Sequence, residues 1–163
     1  MARALIVGCG CRGRKLGRAL AERGWQVRGT TRAEAGKAAI AEAGIEPALA
    51  DPDRLASVLE LIDDVAVVFW LLGSARGEGD ATAALHGPRL ERLLEEIVDT
   101  PVRGFVYEGG GALAAEIRAR GAGAVRAAEA RWRIPAQVIE ADPTEPAGWC
   151  AEMIDATERL LSR

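Results

Sequence analysis

The sequence predicts an α/β fold built on a doubly wound parallel sheet of about six strands, in the order 3-2-1-4-5-6. First, an apolar run at residues 5–7 leads directly into glycines at positions 8, 10 and 13, and a helical pattern follows. Second, apolar strand patterns alternate with helical patterns along the whole chain, as is typical of a parallel sheet covered by helices. Third, right-handed crossovers between such strands favour this strand order.

The elements of the first half follow from apolar periodicity and from helix start and stop signals. After the first strand we predict a helix at 14–23, a strand at 25–30, a helix at 33–43 and a short strand at 45–50. Asp51 and Pro52 are ordinary helix-start residues, so they begin a third helix with 3.6-residue apolar spacing. The apolar run at 65–72 is the fourth strand, because a strand covered on both faces is hydrophobic throughout.

The second half begins with the glycine-rich stretch at 73–80, which we expect to be the most flexible part of the chain. We then predict a helix at 88–98, a strand at 102–107, a small-residue helix at 112–132 interrupted at 121–123, a strand at 134–139 and a helix at 149–161. Pro135 favours an edge position for the sixth strand, because proline cannot donate a ladder hydrogen bond. The last helix is expected to bury residues 153, 154, 157, 160 and 161.

The composition is that of one domain spanning residues 1–163. With a formal net charge of −3 and no basic stripe, nucleic-acid binding is not expected. The longest apolar run is too short to span a membrane, and no signal peptide begins the sequence, so we predict a cytoplasmic protein. Apolar surface on the last helices would favour a partner, with a homodimer as one form.

Cysteine is present at positions 9, 11 and 150, an odd number without secretory context, so a disulfide framework is not expected. Cys9 and Cys11 lack the second ligand pair that a structural zinc site needs, so no metal is predicted. A redox role is the better alternative, because a helix N-terminus lowers the pKa of a thiol.

The order strand, G-x-G-x-x-G, helix predicts a dinucleotide site of the Rossmann type. Gly8 permits the tight turn, Gly10 lets backbone amides approach a pyrophosphate, and Gly13 lets the helix pack closely on the strand. Because ligands bind at the carboxyl ends of such strands, the loops there complete the site. The predicted cofactor contacts are Gly8, Gly10, Cys11, Arg12, Gly13, Arg32, Asp51, Leu72 and Gly73.

The end of strand two indicates the preferred dinucleotide. A site selective for NAD carries an acidic residue there, whereas the first acid here is Glu34, inside the predicted second helix. Arg32 offers a guanidinium that can pair bidentately with a 2′-phosphate, and Arg12 is expected to point toward the same phosphate. We therefore predict NADP in preference to NAD. The alternative is that Arg32 only solvates the start of helix two.

Four stretches together resemble the extended and atypical short-chain dehydrogenase/reductases, which include nucleotide-sugar epimerase-like proteins and NADP-sensing regulators. They are residues 4–13, 27–32, 49–52 and 67–73, with a looser likeness at 105–107 and 137–143. The resemblance implies that the glycine motif holds pyrophosphate, that Arg32 holds the 2′-phosphate and that Asp51 meets adenine. Helix capping is the other role open to Asp51. Relative to the family, the sequence is shortened after strand six.

The family's catalytic pair, a tyrosine with a lysine four residues later, is missing from this sequence. Tyr107 has Gly111 at that distance, and Glu108 with the glycines after it replaces the family's serine. Tyr107 and Glu108 remain candidate proton donors at the carboxyl edge of the sheet. The alternative for Tyr107 is a strand-end aromatic with a hydrated hydroxyl. His86 is expected to be a solvated loop residue.

Three functions are consistent with these residues. The first is an NADP(H)-dependent oxidoreductase acting on an unknown small substrate. The second is a non-catalytic NADP(H) sensor that reports to a partner. The third is a domain whose glycine loop no longer binds nucleotide.

Overall fold

A computed structural model describes residues 1–77 and 79–162. Its six strands form one parallel sheet with the order β3-β2-β1-β4-β5-β6, which confirms the predicted fold class and the edge position of the sixth strand. The strands are β1 (Arg3–Val7), β2 (Gln26–Thr31), β3 (Glu46–Leu49), β4 (Val67–Trp70), β5 (Gly104–Glu108) and β6 (Ala136–Ile139).

Seven α-helices connect and follow these strands in the described residues. They are α1 (Cys11–Glu22), α2 (Lys37–Glu42), α3 (Leu55–Leu59), α4 (Gly79–Leu85), α5 (Pro88–Glu96), α6 (Ala115–Trp132) and α7 (Pro146–Leu161). Short 3₁₀ turns at Glu34–Gly36 and Ile97–Asp99 precede α2 and follow α5. Within the described parts of the chain, no helix is long and apolar enough to cross a membrane.

The sheet separates two hydrophobic cores. Because successive side chains of a strand point to opposite faces, Leu5 and Val7 of β1 enter the core shared with α3 to α6. Ala4 and Ile6 enter the core shared with α1, α2 and α7. In register, Val7 lies opposite Trp70 and Trp70 lies opposite Tyr107, so β1, β4 and β5 end at the same edge.

Several predicted boundaries were wrong at the ends of elements. Helix α1 begins at Cys11 because Gly10 already serves as its N-cap. Helix α3 begins at Leu55 rather than at Pro52, because residues 51–54 form a turn first. Helix α4 was not predicted; it begins at the end of the glycine-rich stretch, in which Glu78 lies outside the described residues, as does Arg163 at the end of the predicted domain. Leu161 is exposed rather than buried.

The predicted interruption of the sixth helix is also wrong, because α6 is continuous through residues 121–123. Gly121 is buried against β5, and a Cβ at this position would overlap the hydroxyl of Tyr107. The glycine therefore serves packing between a helix and a strand, which local periodicity does not reveal.

Candidate functional site

A cleft of about 550 Å³ opens at the carboxyl edge of the sheet, where the strand order reverses between β1 and β4. Its volume is typical of small-molecule sites. It is lined by Gly8, Cys9, Gly10, Cys11, Arg12, Gly13, Arg14, Thr30, Thr31, Arg32, Gly36, Ala39, Ala50, Pro52, Leu71, Leu72, Ser74, Ala75, Arg76 and Glu108. Most of the predicted site residues are therefore brought together. Asp51, Gly73 and Tyr107 are outside this lining set.

The glycine loop has the backbone geometry that its spacing predicts. Gly8 has φ +84°, and a Cβ there would lie 2.6 Å from the carbonyl oxygen of Leu71. A Cβ at Gly13 would lie 3.2 Å from the carbonyl oxygen of Gly8, so a side chain would push α1 away from β1. A Cβ at Gly10 would meet nothing within 4 Å. The loop thus presents bare backbone to the cleft.

The first turn of α1 offers unpaired donors to this cleft. The N–H of Gly10 donates to Gly8, and the N–H of Arg14 donates to the carbonyl oxygen of Gly10. Within residues 1–77 and 79–162, the N–H groups of residues 11, 12 and 13 donate to no protein acceptor. Together with the partial positive charge of a helix N-terminus, these groups can hold an anion.

Two arginines lie at the end of the cleft near β2. Arg32 is about half exposed, and its guanidinium lies 3.7 Å from Asp51 and 3.9 Å from Asp53. Arg14 lines the cleft together with Thr31 and Arg32, and its charge acts on the neighbouring Cys9. Sequence reasoning missed Arg14. The signal available was its position in the first turn of a helix that begins three residues earlier than predicted.

Arg12 does not point where it was predicted to point. Its Nη2 atom lies 3.4 and 3.5 Å from the two carboxylate oxygens of Glu108, and its guanidinium stacks 5.7 Å from the ring centre of Trp149. Arg12 therefore faces the end of β5, whereas Arg32 follows β2 on the other side of the switch point. In this structure the two arginines therefore do not point toward one position, contrary to the prediction.

Asp51 does not cap a helix. Its Oδ1 atom accepts a hydrogen bond of 2.9 Å from the N–H of Asp53, and the same atom faces Arg32. Helix α3 begins later, and no described side chain caps it. The carboxylate therefore stabilises the turn after β3 and orients Arg32. It does not reach the first turn of α3, because the helix begins only at Leu55.

Glu108 is the most unusual group of the site, since it is fully buried at the end of β5 and still borders the cleft. Its Oε1 atom accepts a hydrogen bond of 2.9 Å from the N–H of Gly73. Burial raises the pKa of Glu108, while Arg12, the Gly73 N–H and the Trp149 indole oppose that rise. The result is a carboxyl group that is easier to protonate than an exposed glutamate.

Gly73 does not line the cleft, and its backbone N–H instead supports the carboxylate of Glu108. A Cβ at Gly73 would overlap the carbonyl oxygen of Gly110, and its own carbonyl oxygen accepts the N–H of Leu113. The loops after β4 and β5 are thus pressed together at their backbones. Leu72, the residue before Gly73, does line the cleft.

Tyr107 is not hydrated, and His86 is not a solvated loop residue. Both side chains are fully buried, and Nδ1 of His86 lies 2.5 Å from the Tyr107 hydroxyl. Nε2 of His86 lies 2.9 Å from the carbonyl oxygen of Leu72, which can only accept, so Nε2 carries the proton and Nδ1 accepts from the tyrosine. Burial lowers the pKa of His86 and raises the pKa of Tyr107.

The hydroxyl of Tyr107 lies on the opposite sheet face from Glu108. Successive residues of a strand alternate between faces, so Tyr107 enters the core with α4 to α6, while Glu108 faces α1 and α7. The structure therefore separates the two candidate proton donors, and of the two only Glu108 lines the cleft.

The cysteines also differ from the sequence expectation. Cys9 is buried against β2, and burial raises the pKa of its thiol to about 12, so the predicted activation by a helix N-terminus is wrong there. Cys11 is exposed on the cleft wall. No group of three or more His, Cys, Asp or Glu residues in the described chain is arranged to hold a metal.

No protein-family model matches the sequence, and no curated protein matches it. Solved structures do match the fold. A UDP-glucuronic acid 4-epimerase from Bacillus cereus in complex with NAD is 16% identical with a TM-score of 0.68, over 85% of this chain and 55% of that one. A UDP-glucose 4-epimerase from Thermotoga maritima is 13% identical with a TM-score of 0.65, over 85% of this chain and 54% of that one.

A functionally unknown conserved protein from Silicibacter pomeroyi is 22% identical with a TM-score of 0.59, over 86% of this chain and 52% of that one. The chain therefore spans about half the length of these solved proteins. At such identities the similarity shows a shared fold. It confirms the Rossmann-like α/β fold that the resemblance implied.

Proposed function

We propose that this chain binds a nicotinamide dinucleotide in the cleft at the carboxyl edge of β1, β4 and β5. The observation that carries the proposal is the first turn of α1, whose unpaired N–H groups face a cleft with a bare glycine wall. Such a turn holds a pyrophosphate through hydrogen bonds and the helix dipole. The cleft of about 550 Å³ is also lined by groups suited to both ends of a dinucleotide.

The residues present divide the cleft into three parts. Residues 10–13 would hold the pyrophosphate. Thr31 and Arg32 border the end suited to the adenosine ribose, and Leu72 with Glu108 borders the end suited to the nicotinamide ribose. The dinucleotide, when bound, supplies hydride chemistry at this second end.

NADP(H) is the preferred form in this proposal. Arg32 stands where an NAD-selective site needs an acid, and Arg14 adds a second positive charge to the lining of the same cleft. Asp51 and Asp53 hold the Arg32 guanidinium at distances of 3.7 and 3.9 Å, which leaves donors of the fork for a 2′-phosphate. The epimerase from Bacillus cereus was solved with NAD. The proposal of NADP for this chain rests on Arg32 alone.

Titration with NADPH and NADH, followed by nicotinamide fluorescence and by Tm, tests the proposal. We expect saturable NADPH binding with a raised Tm, because a ligand that binds only the folded state stabilises it. Failure of both dinucleotides to bind would overturn the proposal and leave the glycine loop as a structural turn.

The variant Arg32→Glu tests the preference. Loss of a charged hydrogen-bond pair is expected to weaken NADPH about 10- to 100-fold and to change NADH by less than about threefold. Arg89→Glu is the matched control, because Arg89 is equally exposed and also pairs with Asp53 but does not line the cleft. Equal losses for NADPH and NADH in Arg32→Glu would refute the assignment.

Two uses of such a site follow, an oxidoreductase acting on a small substrate and a non-catalytic NADP(H) sensor. The burial of Tyr107 away from the cleft favours the sensor, because no hydroxyl of the family's catalytic kind reaches the ligand. Glu108, a carboxyl group that lines the cleft, is the observation that supports the oxidoreductase instead. Oxidation of NADPH in the presence of a small carbonyl compound from a test panel would favour the oxidoreductase over the sensor. A homodimer is one state open to the chain, and sedimentation of the purified protein tests it. The cytoplasmic location stays a prediction.

A further inference from the structure

We propose that Glu108 takes up a proton when a dinucleotide binds, because Arg12 leaves Glu108 for the bound phosphates, and that Glu108 is then a neutral acid facing the cleft. This inference rests on the proposed function. It assigns a coupled role to Arg12 and Glu108.

The ion pair between Arg12 and Glu108 is weak enough for a ligand to replace it. The two N–O distances are 3.4 and 3.5 Å, longer than an optimised ion pair of this kind, and the Nε atom of Arg12 is buried without a partner in the described chain. About a third of the Arg12 side chain remains exposed to the cleft. The guanidinium therefore lines the same cleft as the first turn of α1 and is not saturated by its present partners.

Nη2 of Arg12 lies 3.4 and 3.5 Å from the two oxygens of Glu108, and the side chain of Glu108 has no exposed surface although the residue borders the cavity. A move of Arg12 would open the carboxylate to the ligand. The Gly73 N–H would keep its bond of 2.9 Å to Oε1, so the carboxyl group would stay in place. The position of Glu108 is thus independent of the charge that Arg12 supplies.

The other neighbours of Glu108 cannot replace that charge. From α7, Trp149 offers only a neutral indole N–H, which has no hydrogen-bond partner of normal geometry among the described residues. On the far face of β5, Tyr107 and His86 are both neutral. The Arg118 guanidinium donates to the carbonyl oxygens of Leu113 and Gly109.

Arg76 lines the cleft but forms no described contact with Glu108. Without Arg12, and with the bound dinucleotide covering it, the carboxylate would keep only hydrogen bonds to neutral donors. Burial then favours the protonated form, and the proton comes from solvent.

Calorimetry in buffers of different ionisation enthalpy measures this proton directly. Wild-type protein titrated with NADPH between pH 5.5 and 9 is expected to take up a fraction of a proton per ligand that Glu108→Gln does not take up. The 2′-phosphate of NADPH also titrates near neutral pH, but its contribution is common to both proteins and cancels in the difference. Glutamine keeps the size of the side chain and can still accept the Gly73 N–H.

Arg12→Met provides the second arm. It removes the charge in advance, so it is expected to bind NADPH more weakly and with less proton uptake than the wild type. Binding with equal proton uptake in wild type and Glu108→Gln at every pH would overturn the inference. That result differs from an absence of binding heat, which would instead overturn the proposed function.

The unliganded protein offers a readout that needs no ligand. The pKa of Glu108 in the folded state is raised above its ordinary value of 4.5. Between the pKa of the unfolded state and that of the folded state, the folded protein therefore binds more protons. Stability must then fall as pH rises through this window. We expect Glu108→Gln to lose this part of the Tm profile, while Glu152→Gln, at an exposed position of α7, keeps it. Identical profiles of Tm against pH for the wild type and both variants would contradict the burial argument.

Discussion

The substitution Gly121→Ala is expected to destabilise the protein although alanine is the better helix former. Gly121 lies in the middle of α6 against β5, and an added Cβ would overlap the Tyr107 hydroxyl and lie 2.5 Å from its Cζ atom. The tyrosine ring cannot retreat easily, because its hydroxyl is bonded to His86 and both side chains are fully buried.

The magnitude follows from three terms. Replacing glycine by alanine inside a helix gains about 1 kcal/mol. Overpacking of a well-filled core costs about 1–3 kcal/mol, and displacing the tyrosine from His86 leaves a buried acceptor unsatisfied at a further cost of about 1–3 kcal/mol. The net loss is about 3 kcal/mol, equivalent to a Tm about 6–12 °C lower for a chain of this length.

Thermal and urea unfolding followed by circular dichroism measures this loss, and the same helix supplies a control. Gly123 is exposed, and a Cβ there would meet nothing within 4 Å, so Gly123→Ala should raise Tm by about 2–4 °C. The contrast between the two substitutions isolates packing from helix propensity. If both variants were stabilised alike, the contact between Gly121 and Tyr107 would not exist as described.

Two further predictions concern Tyr107 and the cysteines. Tyr107→Phe removes the hydrogen bond to His86 and is expected to cost about 1–3 kcal/mol in urea unfolding, while NADPH affinity stays within about twofold. A large loss of affinity or turnover without loss of stability would place Tyr107 at the ligand after all. Iodoacetamide should alkylate the exposed Cys11 quickly and the buried Cys9 slowly in the native protein, as mass spectrometry of peptides would show. Saturating NADPH should slow the reaction of Cys11, which lines the cleft; an unchanged rate would contradict a ligand at this loop.

The errors in the site share one physical origin, which is the direction of a side chain after packing. From its position in the glycine loop, Arg12 was predicted to point toward the same 2′-phosphate as Arg32. It points instead to Glu108, because a buried carboxylate and the Trp149 ring on α7 lie on that side. Both partners are distant along the chain, and no local pattern connects them.

His86 illustrates the same limit for burial. A lone histidine before a glycine and a proline is typical of a loop, and nothing nearby in the chain offers it a partner. Its partners are the carbonyl oxygen of Leu72 after β4 and the Tyr107 hydroxyl on β5, which only the assembled sheet brings together.

The sequence by itself determined the strand order, the edge position of β6 and the backbone roles of Gly8 and Gly13. These depend on local interactions, since apolar periodicity selects each element, crossover handedness orders the strands, and a positive φ or a close approach demands glycine. Only the tertiary structure decided the partners of Arg12, Glu108, Tyr107 and His86. Their directions and protonation depend on burial and on charges from other elements, because the free energy of a buried polar group is set by whichever neighbours desolvate and pair it.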